Sequence, residues 1–223
     1  MIWDSQLPIM PDCYQNLTSL YIGGIETLKY VFPSSMVKNF KQLRYLHINS
    51  CKELKEIIAK EGAEASPTFI FPRVESLILG NLEELRTFYP GMHISEWPNL
   101  KKLEVSSCDK LQMSTLEYKV VLPNLEALEL HGTNTENISQ LLKTSSCSRK
   151  LTRLVLEECE KVKYVFPSSM VKSFEQLQHL EIISCMALKE IVSREHGEET
   201  NAKFDFPHVA FLKLNDLPQL TTF

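Results

Sequence analysis

The chain has 223 residues, 43% of them apolar, a formal charge of −4 at neutral pH and a pI near 5.9. That apolar share suffices for a continuous core, and the slight acidity supplies no field that would gather nucleic acid or an anionic membrane surface. No apolar run approaches the roughly 18 residues of a bilayer span, and the opening MIWDSQLPIMPDCYQ lacks both a basic leader and a long apolar stretch, so a secreted product is not expected.

From residue 17 onward one pattern recurs. An L-x-x-L-x-L segment, with Ile or Val allowed for Leu, begins at Leu17, Leu43, Val74, Leu100, Leu125, Leu151, Leu177 and Val209. Three positions past its last apolar residue stands Ile25, Cys51, Leu82, Cys108, Thr133, Cys159, Cys185 or Leu217. Another apolar residue usually follows three further on, as at Leu28, Leu54, Leu111 and Leu188. This is the leucine-rich-repeat signature, L-x-x-L-x-L-x-x-N/C-x-L. The x-L-x-L-x portion makes a short strand with one buried and one open face, because side chains alternate at period 2. No single repeat buries its own apolar stripe, so neighbours must stack. The expected fold is an α/β solenoid, a horseshoe of about eight repeats forming one domain over residues 1–223. Parallel strands line its concave face, and short helices or irregular segments form the convex return.

Between the first two strands lies YVFPSSMVKNF (30–40), which returns as YVFPSSMVKSF at 164–174. The spacing predicts a short convex helix, with Ser34 or Ser35 as N-cap and Met36 or Val37, Phe40 and Leu43 on its inner side. The offset between the copies equals five repeats, and Cys13 and Cys147 keep the same register, so a five-repeat unit was duplicated. Polar insertions at 59–68 and 193–203 lengthen two repeats and read as hydrated loops. The chain stops in mid-repeat without a polar cap, which suggests a piece truncated at both ends.

Cys51, Cys108, Cys159 and Cys185 occupy the N/C position, where a small side chain sits under the turn after each strand and can satisfy backbone groups. Their expected role is structural. Cys159 and Cys185 lie on adjacent rungs near disulfide distance, but without a secretory signal free thiols are expected. The C-x2-4-C spacing of a zinc site is absent. His196 lies among carboxylates in a long loop, no histidine neighbours a nucleophile in sequence, and no phosphate-binding glycine motif is present. No catalytic residue, metal, cofactor or small-molecule substrate is expected, and the chain reads as a non-enzyme.

The outward x positions line up in three columns. The central one runs Tyr21, His47, Ile78, Glu104, Glu129, Val155, Glu181, Lys213. The column before it runs Ser19, Tyr45, Ser76, Lys102, Ala127, Arg153, His179, Phe211. The column after runs Gly23, Asn49, Gly80, Ser106, His131, Glu157, Ile183, Asn215. Tyr21, Tyr45, His47 and Arg44 gather at one end, and His179, Ile183, Phe211 and Lys213 at the other. Between them Glu104, Glu129 and Glu181 form an acidic stripe edged by Lys102 and Arg153. Aromatic residues and arginine anchor protein interfaces. The candidate partner-binding set is therefore Tyr21, Arg44, Tyr45, His47, Lys102, Glu104, Glu129, Arg153, Glu157, His179, Glu181, Phe211 and Lys213.

The wording of the repeats narrows the family. FPRVESLILGNLEELRTFYPG, WPNLKKLEVSSCDKLQ and FDFPHVAFLKLNDLPQL carry FP or WP before the strand, C-x-x-L after it, and L-x-x-L-x-x-F closing alternate repeats. They resemble the C-terminal repeats of plant coiled-coil nucleotide-binding leucine-rich-repeat disease resistance proteins. The resemblance implies a cytoplasmic module, with the nucleus as the alternative compartment. It implies partners that are proteins: a pathogen effector or a guarded host protein, and the nucleotide-binding domain of the same receptor. A substrate-recognition scaffold of the F-box ubiquitin-ligase type, or an orphan repeat array, is the competing reading.

Overall fold

The computed structural model describes residues 14–62, 66–112, 118–134, 138–144, 147, 149–193 and 206–222. Cys13, Asn137, which opens an N-x-[ST] sequon, and the loop bearing His196 lie outside them. Eight parallel strands form one sheet: β1 (Ser19–Gly23), β3 (Tyr45–Asn49), β6 (Ser76–Gly80), β8 (Lys102–Ser106), β10 (Ala127–His131), β11 (Arg153–Glu157), β13 (His179–Ile183) and β15 (Phe211–Asn215). The register carries Tyr21 onto His47, Ile78, Glu104, Glu129, Val155, Glu181 and Lys213 in turn, which is the central column read from the sequence. A slip of one residue would have turned every leucine outward.

Period-2 alternation places Leu103 and Val105, Leu128 and Leu130, and Leu154 and Leu156 in the core, where each is at most 5% exposed. At the last rung the same row loosens, and Leu212 is 48% exposed. Each strand ends on a residue in the left-handed region: Gly24, Ser50, Asn81, Ser107, Gly132, Glu158, Ser184 and Asp216, with φ between 49° and 67°. The turn this makes extends the ladder by one bond per rung. Ser107 N–H donates to His131 O at 2.8 Å, and Glu158 N–H to Ile183 O at 2.9 Å.

Beyond that turn the chain runs back through shorter parallel pairings. β2 (Tyr30–Pro33) pairs with β4 (Glu56–Ala59), and β12 (Tyr164–Pro167) with β14 (Glu190–Ser193). β5 (Thr68–Ile70), β7 (His93–Glu96) and β9 (Tyr118–Val121) form a third sheet, and α1 (Ile138–Thr144) is the one α-helix among the described residues. The return is thus more strand-like than expected. Segments such as VF and II are buried on both faces, and so short an apolar run carries no period that separates strand from helix.

The duplicated SSMVK segments form 3-10 helices, Ser34–Asn39 and Ser168–Phe174. Neither serine supplies a side-chain cap. The N-cap is Pro33, extended at ψ 145°, because β2 runs straight into the helix. The start is capped from the next repeat instead: Glu61 Oε2 accepts from Ser35 N–H at 2.9 Å and from the Ser34 hydroxyl at 3.3 Å. Both copies bury the same aromatic pair, Phe32 with Phe40 at 4.6 Å and Phe166 with Phe174 at 4.7 Å between centroids.

The FP and WP cues mark the bend that re-enters the long sheet. Trp97 and Phe206, each followed by proline, offer a carbonyl to the N–H three residues on, as Phe40, Leu122 and Phe174 do at the same place in their own repeats, and Phe71 stacks on Trp97 at 4.1 Å and 7°. Asn99 and Asn124 then reach back to the carbonyls of Pro72 and Pro98. No helix among the described residues is long and apolar enough to cross a membrane.

Candidate functional site

The open face of the eight-stranded sheet divides by chemistry. Its first three rungs are aromatic, apolar or small. Tyr21 is 68% exposed, its ring meeting His47 edge-on at 5.8 Å. Tyr45 is exposed beside it, with the Arg44 guanidinium 5.7 Å above its ring, a cation–π approach. Arg44 is fixed by a residue the strand pattern does not point to: its Nε and Nη2 both reach Glu75 Oε1, at 2.9 and 2.8 Å. Glu75 lies just ahead of β6, one rung on, so the pairing emerges only when the rungs stack.

From β8 onward the face is ion-paired. Lys102 lies 2.9 Å from Glu104 and 3.2 Å from Glu129, and Arg153 Nε donates to Glu129 at 2.7 Å. Burial works to raise the Glu129 carboxyl, but hydrogen bonds from Arg153 and Lys102 outweigh it and hold the group below the usual carboxylate range. Next along, Lys213 and His179 donate to the two oxygens of Glu181 at 2.8 and 3.2 Å, and Lys213 chiefly lowers that carboxyl. His179 stacks flat on Phe211, 4.2 Å away at 7°, and His131 Nδ1 pairs with Glu157 at 2.9 Å.

The acidic stripe is therefore internally neutralised rather than free. Glu104, Lys102, Glu129 and Arg153 make one connected chain over three strands, and His179, Glu181, Phe211 and Lys213 a second group over two. Tyr21, Arg44, Tyr45 and His47 form the third, at the opposite edge. Val155 departs from the expected open column: it is 3% exposed, set in register between Glu129 and Glu181.

Under the turns, the thiols of Cys108, Cys159 and Cys185 each approach two carbonyls. Cys159 reaches Glu157 O at 3.5 Å and Leu130 O at 3.6 Å, while Cys185 reaches Ile183 O at 3.5 Å and Leu156 O at 3.8 Å. Cys108 does the same with Ser106 and Leu79, and Cys51 with Asn49. Burial pushes the Cys108 thiol up to about 11. All four are free thiols. Among the described residues no group of three or more His, Cys, Asp or Glu is placed to hold a metal ion.

These repeats have counterparts. The family model for plant disease resistance protein RPS2-like leucine-rich repeats matches residues 1–134 and 122–222. Over 193 residues, 79% of this chain, the sequence is 28% identical to the probable disease resistance protein At4g27220 of Arabidopsis thaliana. Over 123 residues, 54% of the chain, it is 29% identical to disease resistance protein RPS5 of the same plant. The matched stretches span only 20% and 13% of those relatives. No solved structure matches the chain. With the family's repeats recognised along nearly its whole length, the chain belongs to the RPS2-like leucine-rich repeats of plant disease resistance proteins.

Proposed function

We propose that this chain is the non-catalytic, partner-sensing repeat region of a plant intracellular immune receptor, acting as one domain in the cytoplasm. Its partner is a protein, either a pathogen effector or a guarded host protein, and the same region contacts the receptor's nucleotide-binding domain to restrain it. The observation that carries this reading is the disposition of the open face. Tyr21 and Phe211 stand 68% and 45% exposed on rigid strands at its two ends, while the charged residues between them pair with one another. Aromatic side chains held in the open on a preorganised surface lose little entropy on binding and bury large apolar area. A paired charge offers less, because contact must first break or desolvate its existing pair.

The test is a titration of candidate partner proteins against the chain and its Tyr21→Ala and Phe211→Ala variants, with Leu154→Ala as a folding control. Either aromatic variant should keep its melting temperature and weaken binding about tenfold or more, the signature of an interface anchor. Unchanged affinity in both variants, for a partner that the parent chain binds, would remove the open face from recognition.

A further inference from the structure

Along the turn that follows the long strands, one position per rung reads Ile25, Cys51, Leu82, Cys108, Thr133, Cys159, Cys185, Leu217. Cysteine occurs there four times, but only Cys159 and Cys185 fall on neighbouring rungs. Their strands pair in register, Glu157 against Ile183. The residues before them, Glu158 and Ser184, share the same left-handed conformation, φ 53° and 51°, and the ladder continues through Glu158 N–H to Ile183 O. The two Cα atoms are thus stacked at the rung spacing of about 4.8 Å with Cα–Cβ directions alike, inside the 4.4–6.8 Å range that a disulfide spans. Both thiols are buried, and the Thr133 hydroxyl on the rung below lies 3.5 Å from Cys159 Sγ.

A second feature runs along the same turns. A surface groove is lined by Asp109, Gly132, Asn134, Glu158, Glu160, Ser184 and Met186, residues that flank Cys108, Thr133, Cys159 and Cys185 in the chain. Its carboxylates repel anions and leave a small neutral molecule free to enter. We infer that Cys159 and Cys185 are a dithiol oxidation site that takes hydrogen peroxide, or a peroxide of similar size, and closes to a disulfide joining the sixth and seventh rungs.

The chemistry balances on two electrons. Cys159 sulfur attacks one peroxide oxygen, the O–O bond breaks, and the leaving hydroxide takes a proton and departs as water. The resulting sulfenic acid is then attacked by Cys185 sulfur, which displaces the second oxygen as another water. Two thiol hydrogens and two electrons pass to the peroxide. Hydrogen bonds from Cys185 and Thr133 favour ionisation of the Cys159 sulfur, whereas the same hydrogen bond to Cys159, then burial, push the Cys185 thiol up, which makes Cys159 the attacking group and Cys185 the resolving one.

The experiment treats the intact chain with hydrogen peroxide, and in parallel with the thiol-selective oxidant diamide, followed by intact mass, thiol counting and peptide mapping. The expected result with either oxidant is loss of two titratable thiols, a mass loss of about 2 Da at the thiols and a single Cys159–Cys185 cross-linked peptide reversed by dithiothreitol. With peroxide, Met186, exposed at the groove, separately gains one oxygen. Cys159→Ser and Cys185→Ser should each abolish the cross-link, and Cys185→Ser should let peroxide carry Cys159 to its sulfenic acid. Cross-links distributed among other cysteines, or oxidation of Cys108 as fast as Cys159, would overturn the assignment. If either serine variant fails to fold, Thr133→Val supplies the second measurement. It keeps the position filled but removes the hydroxyl, and should slow disulfide formation at unchanged stability; an unaltered rate would contradict the role given to Thr133 and the order of attack.

Discussion

Glu129 serves two cations at once, accepting from Arg153 and from Lys102, and only 14% of its side chain is exposed. Glu129→Gln takes this carboxylate from Arg153 and leaves Lys102 with Glu104, and should cost roughly 1 kcal/mol, a loss that shrinks in high salt because the pairs are partly screened; urea unfolding at low and high salt measures it. His93 behaves differently. It is 3% exposed, packed against Phe69 and Tyr89, with its Nδ1 2.9 Å from Gly91 O. Burial holds its pKa below the ordinary 6.5. A lowered folded-state value means that the unfolded chain takes up the proton first, so stability should fall as the pH drops below about 6.5. The carboxyls of Glu129 and Glu181 lose their contribution only at lower pH, beneath the carboxylate range near 4.5. Denaturation at pH 7 and pH 5.5 should therefore show the parent chain losing more stability than His93→Gln. An equal loss in both would show that His93 is not the titrating group.

At the scale of the repeat, the leucine spacing alone located the strands, and the three outward columns coincide with the register that the sheet adopts. Three things were not legible. Arg44 pairs with Glu75 thirty-one residues away, a distance set by rung stacking and loop length rather than by local pattern. The return strands are too short to show a period. The left-handed residue ending each strand is Gly twice but otherwise Ser, Asn, Glu or Asp, a set that polar turn residues of many kinds would also satisfy. That position carries its own prediction. Ser107, at φ 49°, tolerates the left-handed region at some steric cost, so Ser107→Gly should stabilise the chain by about 0.5 kcal/mol and Ser107→Val destabilise it by roughly 1–2 kcal/mol. Leu154→Ala, at 0% exposure, should cost about 2–5 kcal/mol and impair binding only through folding.

Over the whole molecule, repetition builds a surface instead of a pocket. Eight strands at about 4.8 Å give a strip roughly 40 Å long, wide enough to place the Tyr21 and Phe211 clusters against two separate points of one partner. The duplicated five-repeat block repeats its buried packing faithfully, Phe32 on Phe40 and Phe166 on Phe174, while the outward columns diverge from one copy to the other: Tyr45 against His179, His47 against Glu181. The core is held constant and the open face is varied, which is the arrangement a recognition module requires. Photo-cross-linking tests this most directly. A photoreactive phenylalanine analogue is placed at Tyr45 or Phe211 on the open face, or at Lys38 or Lys172 on the return side, and each protein is irradiated with a partner that binds the parent chain. Cross-links from Tyr45 and Phe211, and none from Lys38 or Lys172, are the predicted result; the reverse pattern would contradict recognition through the long sheet.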